Sequence, residues 1–311
     1  MSAFDDIQSL LREKADLNAR LVLIPYEGTP EIKEVNGQRY LYVRKRIGSK
    51  VTSTYAGVYS DDLYQMLIRS TRDARDLRKQ LRKIERALAD SGYQEKDLPS
   101  RVMQNLDFAR ANMKANIYDQ AVLEGVATSF PQTEEIIDNG LVSGMTVTDV
   151  QKILNLKHAW EFVLDPDVIQ SKSDYYVLCH IGRLVNEGFF ADGGRIRGVP
   201  VTIGGSSYAP PVPVESIVKE SIDKILESDS DNIDKAINLC LYVMRTQVFI
   251  DGNKRAAVIF ANHFLISKGE GFLVIPEAFV PEFKKLLVGY YEGEEPASIT
   301  DFLRKNCWKS F

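Results

Sequence analysis

The segment Phe249-Ile250-Asp251-Gly252-Asn253-Lys254-Arg255 concentrates residue types suited to holding a phosphate. It falls directly before an apolar helical pattern, so the first backbone amides of that helix, which lack internal partners, would point at it. Gly252 lets the backbone approach a ligand with no Cβ in the way. Asn253 can donate to a phosphate oxygen, Lys254 brings a point charge and Arg255 offers a bidentate fork. Asp251 would repel a bare phosphate; a carboxylate there makes sense as a ligand to Mg2+, the hard cation that bridges nucleotide phosphates. These residues alone leave two readings open: a nucleotide-phosphate loop, or an ordinary Asp-Gly-Asn turn with a helix cap.

Two helices must position that loop. Asp231 is placed as an N-cap, and Ile233, Ala236, Ile237, Cys240, Leu241 and Met244 follow the helical period up to about Gln247. The second helix is expected from about Lys254 to Ser267, with Gly269 as its C-terminal cap. Upstream, Val199-Pro200-Val201-Thr202-Ile203 alternates and meets the turn Gly204-Gly205 and the extended Pro210-Pro211, which predicts a hairpin in an otherwise helical region. An exposed strand edge of that kind can capture a partner segment through main-chain hydrogen bonds.

The N-terminal part reads differently. Residues 3–20 form an amphipathic helical pattern with Ile7, Leu10, Leu11 and Leu17 on one side. Asn36-Gly37 is a hairpin signal, and the Tyr/Val/Thr-rich runs around it predict a small antiparallel sheet over residues 21–58. Asp61 to Leu88 is helical, with a basic face carrying Arg72, Arg75, Arg78, Lys79, Arg82 and Lys83. A solvated helix face is the plain reading of those cations. The cluster Arg44-Lys45-Arg46 and Lys50 beside tyrosines adds a second one, contact with nucleic acid, because aromatic rings stack on bases while cations neutralise phosphates.

Gln247-Val248-Phe249-Ile250-Asp251-Gly252-Asn253-Lys254-Arg255 resembles the Fic/Doc family signature, His-x-Phe-x-Asp/Glu-Gly-Asn-Gly/Lys-Arg, at every defined place except the first. The segments Gly194 to Val201, Ile203-Gly204-Gly205 and Tyr208 to Pro211 are similar to the family's target-docking flap and the segment behind it, and the likeness spans about residues 115–290. The resemblance implies a mainly α fold. A Fic-fold helical bundle with a β-hairpin flap would occupy residues 111–311, with the core motif at 247–255 and the flap at 193–211. A small α+β region at residues 1–110 would precede it.

The same resemblance implies ATP and Mg2+, with Asp251 on the metal, Gly252, Asn253 and Lys254 around the phosphates, and Arg255 on the outer ones. Most such proteins transfer AMP to a Ser, Thr or Tyr hydroxyl of a target protein, which would dock along Val199, Val201 and Ile203. Lys254 stands where the phosphate-transferring Doc-like branch also carries Lys. Gln247 occupies the place of the histidine that removes the target hydroxyl's proton, and an amide has no basic nitrogen near neutral pH. The chain thus reads as an adenylyltransferase impaired at its base, a non-catalytic relative or a Doc-like phosphotransferase. Glu124, in Leu123-Glu124-Gly125, stands where the family carries an inhibitory glutamate. Val258 replaces the arginine it would pair with and Gln120 an expected Ser/Thr, so a structural helix position is expected for it. Fic proteins often regulate themselves by dimerising, which admits a homo-oligomer.

Bulk properties add exclusions. The chain has 311 residues, 44% hydrophobic and 26% charged, with a formal net charge of −4. Residues 1–110 hold 20 Lys+Arg against 16 Asp+Glu, so the negative excess lies in the remainder. The longest apolar run, Ala256 to Ile266, is broken by Asn262 and His263, so no membrane span is expected. Asp5-Asp6 near the start argues against a secretory signal, and a cytoplasmic location is expected. The three cysteines are widely separated, and the three histidines, His158, His180 and His263, have no metal-ligand spacing.

Overall fold

Side-chain N-caps open six of the helices in the computed structural model, which describes residues 3–140 and 144–311. The chain divides into two units, Met1–Gln94 and Glu95–Phe311.

In the first unit, α1 (Ala3–Leu23) precedes an antiparallel sheet of β1 (Thr29–Val35), β2 (Gln38–Ile47) and β3 (Lys50–Val58), and α2 (Asp61–Asp90) comes after it. Asn36 and Gly37 take φ values of 51° and 77°, as the tight turn between β1 and β2 requires. Ser60 caps α2 by accepting from the Leu63 amide at 3.2 Å. Alternation along β2 buries Leu41 and Val43 against Leu67 of α2, while Leu11 and Leu17 of α1 meet Leu81, Ile84 and Leu88 of α2.

The second unit contains α3 (Ser100–Leu123), α4 (Phe130–Asn139), α5 (Val147–Val163), α6 (Pro166–Ile169), α7 (Tyr175–Val185), α8 (Glu215–Glu227), α9 (Asn232–Thr246) and α10 (Asn253–Lys268). The two-residue strands β4 (Phe272–Leu273) and β5 (Trp308–Lys309) pair with each other and flank α11 (Val280–Glu292) and α12 (Ala297–Asn306). Every residue of α10 from Arg255 to Ile266 is buried, and α3, α5, α7 and α9 surround it. A helix apolar on all sides belongs in a core. Of its buried polar members, Asn262 donates to the Leu273 carbonyl and accepts from the Leu273 amide, both at 2.7 Å, which fixes β4.

The fold is mainly helical, with the small N-terminal sheet where the sequence placed it. Two expectations change. Residues 95–110 lie in the second unit, because α3 is one continuous helix tied to the end of α10: Arg101 Nε donates to the Gly269 carbonyl at 2.9 Å, and Asn105 exchanges bonds of 3.0 and 2.9 Å with Gly271. The flap at 193–211 forms no strand pairing and runs as an irregular strap with turns at 193–194 and 204–205. Its main chain bonds to side chains instead, the Val199, Pro210 and Pro211 carbonyls accepting from the strap's own Arg197 and the Ser207 amide donating to Glu292. Pro200 has no amide to offer a partner strand. Among the described residues, no helix is long and apolar enough to cross a membrane.

Candidate functional site

The loop leaves α9 through Gln247, whose backbone is left-handed at φ 49° and ψ 61°. Asn36 is the only other non-glycine among the described residues with positive φ. The conformation costs an L-residue about 1–2 kcal/mol and persists where neighbours over-determine it. Around Gln247 they do. Its amide donates to the Val243 carbonyl at 3.1 Å and its carbonyl accepts from Arg197 Nε at 2.5 Å. Its Nε2 donates to the Met244 carbonyl at 2.6 Å, and its Oε1 accepts from Asn253 Nδ2 at 3.0 Å.

Arg197 is the hub of this corner. The side chain is 4% exposed, and besides Gln247 it serves the carbonyls of Val199 at 2.6 Å and Pro211 at 2.7 Å, with longer bonds to Pro210 at 3.2 Å and Thr246 at 3.4 Å. One cation thus joins the base of the strap to the C-terminal carbonyls of α9, where a positive charge is favoured.

Further along, Phe249 is fully buried against Gly182 of α7, where an added Cβ would lie 2.5 Å from the ring. Gly252 takes φ 74° in a space so tight that a Cβ would sit 2.8 Å from Asn186 Oδ1. Asn186, itself fully buried, donates Nδ2 to the carbonyls of Asp251 at 2.9 Å and Gly193 at 3.0 Å. Glycine and asparagine together therefore shape the turn.

Two residues expected on phosphates face inward. Asn253, 4% exposed, accepts from the Phe249 amide at 2.9 Å and donates to the Phe249 carbonyl at 2.8 Å and to Gln247, so its side chain staples the loop. Arg255 is 1% exposed and donates to the Val185 carbonyl at 2.6 Å and to Asp251 Oδ2 at 2.9 Å. Helical spacing turns position 255 toward the core, where the guanidinium props Asp251 from beneath.

What opens to ligand is a cavity of about 550 Å³ above the start of α10. Gln247 and Asp251 to Lys254 form its floor, strap residues Thr202 to Gly205 one wall, and Lys284, Leu287, Val288 and Tyr291 of α11 another. Lys254 and Lys284 bring positive charge, while half-exposed Asp251 and the more deeply set Glu124 bring negative. Glu124 caps α3, yet it also lines this cavity, with Oε1 3.8 Å from Lys254 Nζ and Oε2 3.8 Å from Arg255 Nε. Gln120, one turn earlier, bonds the Arg255 carbonyl at 2.8 Å. Val199, Val201 and Ile203 lie along the strap, with Val199 51% exposed.

None of the three histidines lines the cavity. His158 sits 3.2 Å from Glu187, His180 stacks on Phe162, and buried His263 bonds Ser173 Oγ and the Val168 carbonyl, each at 2.8 Å. Burial pushes the Tyr291 phenol well above its usual range, so it keeps its proton.

Sequence reasoning missed Arg197, Asn186, Lys284 and Tyr291. Asn186, a polar residue ending the apolar pattern of α7, offered a faint signal. Lys284 and Tyr291 offered none, since their place depends on how α11 crosses the loop.

Residues 173–265 match the model of the Fic/DOC family, and residues 4–65 match that of a domain of unknown function, DUF6788. Among solved structures, Fic-1 (residues 134–508) from C. elegans is similar with a TM-score of 0.53 and 20% identity, over 79% of this chain and 73% of that one. A Fic family protein from Desulfovibrio desulfuricans is similar with a TM-score of 0.54 and 15% identity, over 68% and 73%. A Fic domain containing signaling protein from Bacteroides thetaiotaomicron gives 0.51 and 16%, over 67% and 85%. At these identities the likeness speaks to the fold. Among curated proteins, none is similar enough to count as a match.

Proposed function

The chain carries a Fic/DOC-family domain over residues 173–265, and we propose that the cavity above α10 binds the phosphates of ATP with Mg2+, as in protein adenylyltransferases, and that transfer is slowed by the missing base. The observation that carries this reading is the rigid loop at the N-terminus of α10. Gly252 and the stapled Asn253 present the first amides of that helix to a cavity walled by Lys254 and Lys284.

The residues present fit a hard cation that arrives with its nucleotide. Only Oδ2 of Asp251 is taken by Arg255, and one carboxylate plus phosphate oxygens is a common provision for Mg2+. Among the described residues no cluster of three or more His, Cys, Asp or Glu could hold a metal without such help. When bound, the ion would neutralise phosphate charge. Arg255 serves indirectly by orienting Asp251, and Asn253 by holding the loop.

AMP transfer would form a bond between a target hydroxyl oxygen and the α-phosphorus, release pyrophosphate and require the hydroxyl proton to leave. Gln247 cannot take it, since its carboxamide is not basic and both ends are engaged in hydrogen bonds. Loss of a general base costs about 10²–10⁴-fold, whereas positioning and phosphate electrostatics survive. The strap supports target docking: Val199, Val201 and Ile203 lie on backbone that pairs with no strand of its own.

Calorimetry with Mg-ATP tests binding, and absence of both heat and thermal shift would sink the phosphate-loop assignment. Lysate incubated with ATP labelled at α or γ tests transfer, with Gln247→His alongside. Label from α-ATP, strengthened by Gln247→His, is expected. Label from γ-ATP alone would assign the Doc-like phosphotransfer that Lys254 resembles. Binding with no label from either form would leave a nucleotide-binding protein without transferase activity.

A further inference from the structure

Both cations of the loop are wholly or partly committed within the protein. Arg255 is 1% exposed, and its donors go to the Val185 carbonyl at 2.6 Å and to Asp251 Oδ2 at 2.9 Å, with Nε 3.8 Å from Glu124. It therefore has no donor to reach into the cavity. Lys254 lies 3.8 Å from Glu124 Oε1, so part of its charge is already matched. One turn further along α10, Val258 is buried and uncharged.

A third cation comes from outside the loop. Lys284, Leu287, Val288 and Tyr291 line the cavity from α11, and their spacings of three, four and seven residues set them on one face of that helix. The residues three and four positions to either side of Lys284 are Val280, Pro281, Leu287 and Val288, so no acid neighbours it along the helix. Among the described residues Lys284 forms no ion pair. An ammonium at the end of an apolar stripe, facing a cavity and lacking a carboxylate of its own, is available to an anionic ligand.

Its place along α11 decides which part of the ligand it meets. Tyr291 lies beside Gln247, and the seven residues back to Lys284 make two helical turns, about 10 Å. AMP transfer brings the α-phosphorus to the target hydroxyl at position 247, so the outer phosphates must extend away from there. We propose that Lys284 binds the terminal phosphate of the nucleotide, the triphosphate running along α11 from Gln247 toward it. This rests on the AMP-transfer reading of the cavity. The opposite polarity, with the γ-phosphate at Gln247 as Doc-like phosphotransfer requires, would turn the nucleoside end toward Lys284 and give the ammonium no phosphate to hold.

The test is calorimetry on the full chain with Mg-ATP, Mg-ADP and AMP, the last by competition against Mg-ATP where its own heat is small. Lys284→Gln should weaken Mg-ATP binding about tenfold, as loss of one charge-assisted contact does, and Mg-ADP binding by less. AMP should be almost unaffected, because a phosphate about 10 Å away is a full screening length from the ammonium at ~0.1 M salt. Circular dichroism should not change, since the position is exposed and glutamine is a good helix former. Lys285→Gln, one residue on and outside the cavity, should leave all three affinities unchanged. A parent protein that binds no nucleotide would sink the phosphate-loop reading and this inference with it. Where the parent binds, the role of Lys284 alone is overturned by unchanged Mg-ATP affinity in Lys284→Gln, by equal weakening of Mg-ATP and AMP, or by an equal effect of Lys285→Gln.

Discussion

Replacing Arg197 with Met keeps the length of the side chain and removes the side-chain donors that join the strap to the end of α9, leaving only the main-chain bond from its amide to the Val248 carbonyl. Three of its bonds are short, to the carbonyls of Gln247, Val199 and Pro211 at 2.5, 2.6 and 2.7 Å, and the side chain is 4% exposed. Hydrogen bonds to a charged group contribute about 1.5–3 kcal/mol each, and burying the cation costs part of that back. The freed carbonyls regain water only if the strap lifts away. We therefore expect the second unit to lose about 3–5 kcal/mol, the range for breaking a buried charged network. Both tryptophans, Trp160 and Trp308, belong to that unit, so urea unfolding followed by their fluorescence reports it specifically. Protease should cut the variant between Val199 and Ser207 sooner than the parent. Mg-ATP should bind more weakly, because Thr202 to Gly205 line the cavity. Arg197→Lys should fall between, since an ammonium lacks the planar fork. An Arg197→Met protein within about 1 kcal/mol of the parent, its strap equally protected, would refute the hub role, because surface substitutions cost that little.

Two further changes probe the supports of the site. Gly182→Ala would place a Cβ 2.5 Å from the Phe249 ring, so the ring must shift. We expect an overpacking cost of about 1–3 kcal/mol and at least tenfold weaker Mg-ATP binding by calorimetry, from a residue that does not line the cavity; unchanged affinity would mean that Phe249 does not anchor the loop. His263 is fully buried, and burial holds its pKa below the ordinary histidine value of 6.5. The Val168 carbonyl can only accept, so Nε2 carries the proton and Nδ1 accepts from Ser173. The unfolded chain then binds a proton that the native state refuses. This contribution to stability is present in full above about pH 6.5 and is lost as pH falls toward the lowered native value, by at most about 1.4 kcal/mol per pH unit. Urea unfolding between pH 5 and 8 should show that slope, and His263→Gln should flatten it; an identical slope in both would assign the effect elsewhere.

Local chemistry was legible in the chain itself. Asp231 caps α9, Gly269 ends α10 with φ 70°, and Asn36-Gly37 turns the hairpin, because capping and turn geometry are settled within a few residues. The loop's residue types and the Gln at position 247 were equally plain. Other features depended on packing between segments far apart in sequence, and no short-range pattern reports those. Val199 to Ile203 alternates like a strand, yet a single arginine and Glu292 take main-chain bonds of the strap before another strand can.

The order of residues was enough to show a loop of phosphate-suited residue types, the helix behind it and a glutamine at position 247. Which loop side chains face the cavity was settled by packing. Asn253 and Arg255 turned inward because α10 is enclosed on every side, whereas Lys284, Tyr291 and Glu124 reached the cavity from α11 and α3. The direction a side chain faces depends on which helices surround it, and that is a property of the whole packed unit.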